Sequence, residues 1–312
     1  MSKLLTIIGA TGQQGGSIAN FVLDDPELRK TYRVRGIARD VSNAAARALQ
    51  SKGAELLSAN LNDFSTLDGV MKGTNTLWAM TTPAFGPDAK ERELGQGKAI
   101  ADAAVKAGVQ YIIFSTLPHV ERISGGKYKK VAGFDAKAEV EDYIRTLPVK
   151  SAFFSPASFM QNFLKVMVPR PNPAEEGSYM IARLIKPTTR LPLIETSGDT
   201  GKYVGAILAE PEKYEGKVFC AATALYSMEE QARMISEKTG KKVVYKQISE
   251  EQMRSYVPVA YGETLIEMMK YQEEYGYYGA DTEEKVRWAA ENARGKVTTF
   301  EEFLSENPLP LS

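Results

Sequence analysis

The 312-residue chain has one cysteine, Cys220, and one histidine, His119. A single cysteine excludes an internal disulfide and any cysteine-built metal cluster. A single histidine excludes a multi-histidine metal site, so no metal is expected, and leaves little room for a histidine-based triad. Neither sign of charge prevails: Lys+Arg and Asp+Glu are 39 each. Direct nucleic-acid binding driven by bulk charge is therefore not expected, because domains of that kind are usually basic. No apolar run approaches the ~18–20 residues that span a bilayer, so no membrane association is expected. The apolar stretch Leu4–Ile8 is too short for a secretory leader and runs into glycines. These absences point to a soluble cytoplasmic protein, with any nuclear role exerted through another protein. What is present is ordinary for a globular fold: 43% hydrophobic and 25% charged residues, in a chain long enough to bury an α/β core and an added lobe.

Short apolar runs alternate with amphipathic stretches. Strands are predicted at Leu4–Ile8, Tyr32–Ala38, Ala54–Ala59, Asn75–Met80, Tyr111–Ser115 and Ser151–Ser155, and helices at Ser17–Asp24, Val41–Gly53, Asp63–Met71, Asp88–Ala107 and Phe134–Arg145. This alternation predicts an α/β fold with a doubly wound parallel sheet. From about Asn162 the alternation fades, which predicts an appended lobe over the ligand edge of the sheet. Capping boxes are predicted at Ser227–Glu230, Ser249–Gln252 and Thr299–Glu302. The tyrosine-rich stretch Tyr271–Tyr278 is placed between helices, either packed within the lobe or facing a partner.

The first strand leads directly into Gly9-Ala10-Thr11-Gly12-Gln13-Gln14-Gly15-Gly16, which opens the first helix. Glycines at 9, 12 and 15 supply a tight turn, bare backbone for a pyrophosphate and close helix–strand packing, and the helix N-terminus supplies free N–H groups. The second strand ends in Ile37-Ala38-Arg39-Asp40. A guanidinium at position 39 can pair with an adenosine 2′-phosphate, whereas a one-residue slip would present Asp40, an acid suited to a free ribose hydroxyl. The reading favours NADP(H) and leaves NAD(H) open.

Gly9–Gly16 (GATGQQGG), Val34–Asp40 (VRGIARD), Gln96–Ala104 (QGKAIADAA), Phe134–Ile144 (FDAKAEVEDYI), Ser155–Phe163 (SPASFMQNF) and Asp199–Leu208 (DTGKYVGAIL) together resemble the NmrA-like proteins. These are an atypical branch of the short-chain dehydrogenase/reductase superfamily. The resemblance covers nearly the whole chain. It implies a Rossmann-like NAD(P)-binding domain over residues 1–155, and a smaller α+β C-terminal lobe over 156–312, interleaved with it, covering the nicotinamide end. It implies a cofactor site formed by Gly9, Ala10, Thr11, Gly12, Gln13, Gln14 and Gly15 at the pyrophosphate and Arg39 at the 2′-phosphate. Asn60 and Leu61 would lie at the adenine, although an aspartate is more usual at position 60. Thr81 and Thr82 would lie near the nicotinamide ribose, with Lys98 and Lys137 reaching the cofactor. Phe159, Met160, Gln161 and Asn162 would close over the nicotinamide end.

Typical members of that superfamily use a tyrosine four residues before a lysine as acid/base. No tyrosine here has a lysine at +4, and Gly133 stands four residues before Lys137. Ser115, or its neighbour Thr116, matches the substrate-orienting serine. Two functions follow from the resemblance. The favoured one, since that tyrosine is missing, is a redox sensor or a transcriptional or metabolic regulator that binds NADP(H) and acts through a protein partner. The other is an NADPH-dependent reductase of the isoflavone-reductase-like kind with Lys137 as acid/base. Tyr128 and His119 are weaker proton-donor candidates, each expected to be an ordinary loop residue. Cys220 is expected to pack in a buried strand, and Met253, Met268 and Met269 to face the core. Phe159, Met160 and Phe163 are expected to line an apolar pocket or the core. Segments 82–88, with Pro83, Gly86 and Pro87, and 123–134 leave strand ends, where cofactor could order them.

Overall fold

The computed structural model describes residues 2–84, 86 and 88–311; Phe85 and Pro87 of the proposed 82–88 segment lie outside them. In chain order the first half reads β1 (Lys3–Ile8), α1 (Gln13–Asp24), α2 (Leu28–Thr31), β2 (Tyr32–Ala38), α3 (Ala44–Ser51), β3 (Glu55–Ser58), α4 (Leu67–Met71), β4 (Thr76–Ala79), α5 (Ala89–Lys106), β5 (Tyr111–Ser115), α6 (Val120–Ile123), α7 (Ala132–Thr146) and β6 (Lys150–Pro156). The second half reads β7 (Ser158–Phe159), β8 (Arg170–Pro171), β9 (Tyr179–Arg183), β10 (Arg190–Ile194), α8 (Thr196–Ala209), β11 (Val218–Ala221), β12 (Ala224–Ser227), α9 (Met228–Thr239), β13 (Val243–Gln247), α10 (Glu250–Tyr256), α11 (Val259–Tyr275), α12 (Thr282–Glu291) and α13 (Phe300–Glu306).

Seven strands form one sheet in the order β11-β6-β5-β4-β1-β2-β3, and every neighbouring pair is parallel. The continuous apolar runs of β1 and β5 fit this arrangement, since a parallel sheet is covered on both faces. One face packs Leu5, Ile7, Trp78 and Ile113 against α1 and α8. The other packs Ile8, Leu77, Ile112 and Phe114 against α5 and α7. The strand order reverses between β1 and β4, the point at which a doubly wound sheet opens a crevice at its carboxyl ends.

The second half is interleaved with the first. Strand β11 pairs with β6 and completes the sheet, and α8 lies directly on α1. That contact is close because Gly201 and Gly205 face Phe21: a Cβ at either position would come within 2.5 Å of its side chain. Two small sheets, β12-β10-β7 and β13-β9-β8, build the rest of the lobe. All three predicted capping boxes form, at the N-termini of α9, α10 and α13. Cys220 is buried in β11, and burial pushes its thiol up to about 12.

The tyrosine stretch departs from expectation. Tyr271 and Tyr275 belong to α11, and only Tyr277 and Tyr278 follow it. Tyr271, Tyr277 and Tyr278 are buried within the molecule. The hydroxyls of Tyr277 and Tyr278 donate to the carbonyls of Pro156 and Ser155, at 3.3 and 2.8 Å, so they fasten the lobe to the end of β6. No described helix is long and apolar enough to cross a membrane.

Candidate functional site

A cavity of about 1500 Å³ opens over the carboxyl ends of β1, β2, β4, β5 and β6 and runs on beneath the C-terminal lobe. Its floor at one end is the glycine loop. Gly9 has φ +73°, a left-handed conformation that favours glycine. The amides of Gly9 and Ala10 donate to the Ile37 carbonyl at 2.9 and 3.1 Å, tying the loop to β2. A Cβ on Gly15 would sit 2.4 Å from the Gly9 carbonyl oxygen, so α1 can approach β1 only with glycine there. Helix α1 begins after Gly12, with no side chain capping it and no acid in its first turn. Its leading N–H groups and the positive end of its dipole therefore face the cavity.

Of the residues expected to hold a cofactor, Gly9, Thr11, Gly12, Gln13, Gln14, Gly15, Arg39, Asn60, Leu61, Thr81, Thr82, Lys137, Phe159 and Asn162 line this cavity. Four do not. Ala10 is buried beneath the loop, against the position that a Gly36 side chain would occupy. Lys98 is exposed on α5, its ammonium 5.2 Å from the centre of the Tyr143 ring. Residues 160–164 form a short 3-10 turn, which rotates Met160 into the core with Phe163. The same turn carries Gln161 toward α8, where its amide oxygen accepts from the Thr196 amide at 3.1 Å and its amide nitrogen donates to Glu195.

The end of β2 distinguishes its two charged residues. The Arg39 guanidinium lines the cavity without a hydrogen bond or ion pair among the described residues. Asp40 is engaged in a turn: its carboxylate accepts from the Ser42 amide at 2.7 Å and from the Ser42 hydroxyl at 2.6 Å. Those bonds hold its carboxyl below the usual aspartate range.

Behind the middle of the cavity lies a buried polar cluster. The Lys137 ammonium, presented by α7, donates to Thr81 Oγ1 at 2.6 Å and pairs with Glu93 Oε1 at 2.6 Å. The Thr81 hydroxyl in turn donates to Glu93 Oε1 at 2.6 Å. Burial pulls the Lys137 ammonium below the ordinary lysine range, and the Glu93 carboxylate opposes that pull. Nearby, the Gln96 side chain accepts from the Thr82 amide at 2.7 Å and donates to Asn62 at 2.9 Å, joining the loops after β3 and β4. Ser115 donates to Gln14 at 2.9 Å, linking the end of β5 to the glycine loop.

Glu93 and Gln96 were not singled out from the sequence, although a signal exists. Positions 93, 96, 97, 100, 101 and 104 form the buried stripe of α5; an acid on such a stripe must find a cation. Arg183, on β9, was also missed. It lines the far part of the cavity, and burial pulls its guanidinium below the ordinary arginine range.

The weaker proton-donor candidates stand outside the cavity. His119 caps α6 and lies 3.1 Å from Asp135 and 3.5 Å from Glu139. Tyr128 is buried rather than solvated, edge-on to Tyr275. Its hydroxyl donates to Glu274 at 2.8 Å, and burial pushes it up to about 12. Around it, segment 123–134 is tied to α11 by Lys127–Glu274 and by the amides of Lys129 and Lys130, both donating to Glu267 at 2.7 Å.

Comparison with known proteins gives this arrangement its relatives. An NmrA-like family domain-containing protein of Dictyostelium discoideum is 28% identical over 319 residues, covering 98% of each chain. The NmrA-like family domain-containing oxidoreductase FrzB of a Cladobotryum species is 30% identical over 267 residues, covering 80% of this chain and 77% of that protein. Among solved structures, the negative transcriptional regulator NmrA in complex with NADP superposes with a TM-score of 0.79 at 22% identity, covering 98% of this chain and 95% of the other. The Citrobacter triphenylmethane reductase complexed with NADP(H) gives 0.74 at 19% identity, covering 97% and 99%. The family match itself extends over residues 1–304, and the chain belongs to the NmrA-like family.

Proposed function

We propose that this chain is an NADP(H)-dependent reductase with its cofactor and substrate side by side in the one cavity. The observation that carries this reading is the cavity's extent. At about 1500 Å³ it exceeds the ~300–1,000 Å³ of a usual small-molecule site. It continues past Lys137 and Phe159 into a chamber beneath the lobe.

The residues fit a dinucleotide. The glycine loop offers bare backbone and an uncapped helix N-terminus to a pyrophosphate. Arg39 offers an unpaired guanidinium to a 2′-phosphate, while Asp40 is engaged by Ser42. That contrast favours NADP(H) over NAD(H). Asn60 and Leu61 flank the adenine end, and Thr81, Thr82, Phe159 and Asn162 the nicotinamide end. When bound, NADPH supplies a hydride. The chain's part is to orient the reactants and hold a proton. Lys137 would hold that proton at Nζ, where the Glu93 carboxylate favours the ammonium against its burial and Thr81 fixes its direction.

A regulatory reading, in which cofactor binding is reported to a protein partner, has an observation of its own. The acid/base tyrosine has no counterpart, and Lys137 is held by two partners. The two readings part on turnover. NADPH oxidation is followed by absorbance with a panel of quinone, aldehyde and enone acceptors. Turnover with any acceptor, lost in Lys137→Met, is expected of the reductase. Tight NADPH binding without oxidation across the panel favours the regulator.

A further inference from the structure

The cavity's charge does not mirror the chain's. Overall the chain carries 39 residues of each sign. The described residues lining the cavity include Arg39, Lys137, Lys165, Arg170 and Arg183, and no aspartate or glutamate. Four of these cations are accounted for or solvated. Arg39 stands at the end of β2, by the glycine loop. Lys137 is paired with Glu93. Lys165 and Arg170 are exposed, and Arg170 lies over the Tyr256 ring at 4.8 Å.

Arg183 differs. It ends β9, a strand of the lobe's own small sheet, and its guanidinium has no hydrogen bond or ion pair among the described residues. Its backbone carbonyl accepts from the Ile248 amide at 2.9 Å and from the Tyr245 hydroxyl at 3.4 Å. Leu191, Met253 and Met269 line the same cavity and belong to the lobe's apolar cluster; Tyr256 and Met268 also line it. Arg183 is half-buried, and a guanidinium left without a partner among such side chains favours an anion within hydrogen-bond reach. Its planar fork suits an oxyanion bound through two parallel hydrogen bonds. Methionines and tyrosines present soft, adaptable walls to a flat apolar body.

We propose that Arg183 anchors the acceptor substrate, and that this substrate is an amphipathic organic anion: an aromatic or extended apolar body bearing a carboxylate or a kindred oxyanion. The inference deepens the reductase reading, on which it rests for the word substrate; the subsite itself stands on the arginine and its chamber. The group to be reduced would point from the apolar body toward Lys137, with the anionic group held at the far end.

The test uses two fluorescent probes, anilinonaphthalene sulfonate and phenylnaphthylamine, the same apolar body with and without the anion. Each is titrated into the full chain with and without saturating NADP⁺. The sulfonate is expected to bind wild type about tenfold or more tightly than the neutral probe. Arg183→Met should abolish that preference while leaving the neutral probe unchanged, and Arg183→Lys should restore part of it. Arg170→Met should leave it intact. Equal binding of both probes to wild type overturns the proposal even if Arg183→Met fails to fold. Displacement of the sulfonate by NADP⁺ also overturns it, since Arg183 would then be a cofactor contact. Calorimetry with NADPH alone reports on the dinucleotide reading separately: if NADPH fails to bind while the sulfonate preference persists, the cofactor assignment falls and the anion subsite stands.

Discussion

Lys137 carries the proposed chemistry, and its neighbours decide what it can do. Its ammonium is pulled below the ordinary lysine range by burial and held up by Glu93. Glu93→Gln removes the opposing charge and keeps the shape, so the Lys137 pKa must fall further. The limb of the pH–rate profile set by Lys137 should then move to lower pH, with less activity left at neutral pH. A profile unmoved by Glu93→Gln would detach Lys137 from the rate. Lys137→Met, which takes the cation from Glu93 and the donor from Thr81, is expected to weaken NADPH about tenfold or more by calorimetry. Unchanged affinity would remove Lys137 from the cofactor site. Neither partner was legible from the lysine's own surroundings in sequence. Glu93 is 44 residues away, and only the folding of α5 against α7 brings the two together. Arg183 was hidden for a similar reason: an arginine ending a strand reads as a solvated terminus until the fold places it in the cavity wall.

At the scale of elements, the strand–glycine–helix unit was legible because its chemistry is local. Gly9, Gly12 and Gly15 follow β1 at once, and the geometry each position needs is set within eight residues. Gly15→Ala puts a methyl group 2.4 Å from the Gly9 carbonyl oxygen. It should cost roughly 1–3 kcal/mol of stability, as overpacking at a backbone contact does, and open the loop. A denaturant midpoint equal to wild type would show that α1 need not approach β1 so closely. The capping boxes were legible for the same local reason. Thr299→Ala, which removes the acceptor for the Glu302 amide, should destabilise by about 1 kcal/mol, read from the same unfolding curve. What could not be read was how elements distant in sequence assemble. Val218–Ala221 is four apolar residues, and nothing in it says that it pairs with β6. The glycines of α8 read as a family motif, and only the contact with Phe21 gives them a reason.

Polar ties cross between the interleaved halves of the molecule. Arg294, after α12, pairs with Asp25 at the end of α1 at 2.8 Å and with Glu27 at 2.5 Å. The arginine holds the Asp25 carboxyl below the usual aspartate range. A depressed carboxyl stabilises the fold above its unfolded pKa, and that contribution fades as pH falls through the folded one. Asp25→Asn should therefore cost roughly 1 kcal/mol at neutral pH, the scale of a part-exposed pair. The gap to wild type should close as acid protonates the native aspartate. A gap that stays constant down to acid pH would show that the pair adds nothing to stability.

The same closure of lobe on sheet makes one cavity from two halves, with cations along its walls and an uncapped helix at its floor. The proposed role of this cavity is to bind NADP(H) through the glycine loop and Arg39. The most direct measurement is calorimetric titration of wild type, Gly12→Val and Arg39→Ala with NADPH and NADH. The account predicts tighter binding of NADPH than NADH in wild type, a narrowed difference in Arg39→Ala, and loss of both cofactors in Gly12→Val with the fold retained by circular dichroism. Equal affinity for both cofactors in wild type, or normal NADPH binding by a folded Gly12→Val variant, would contradict it.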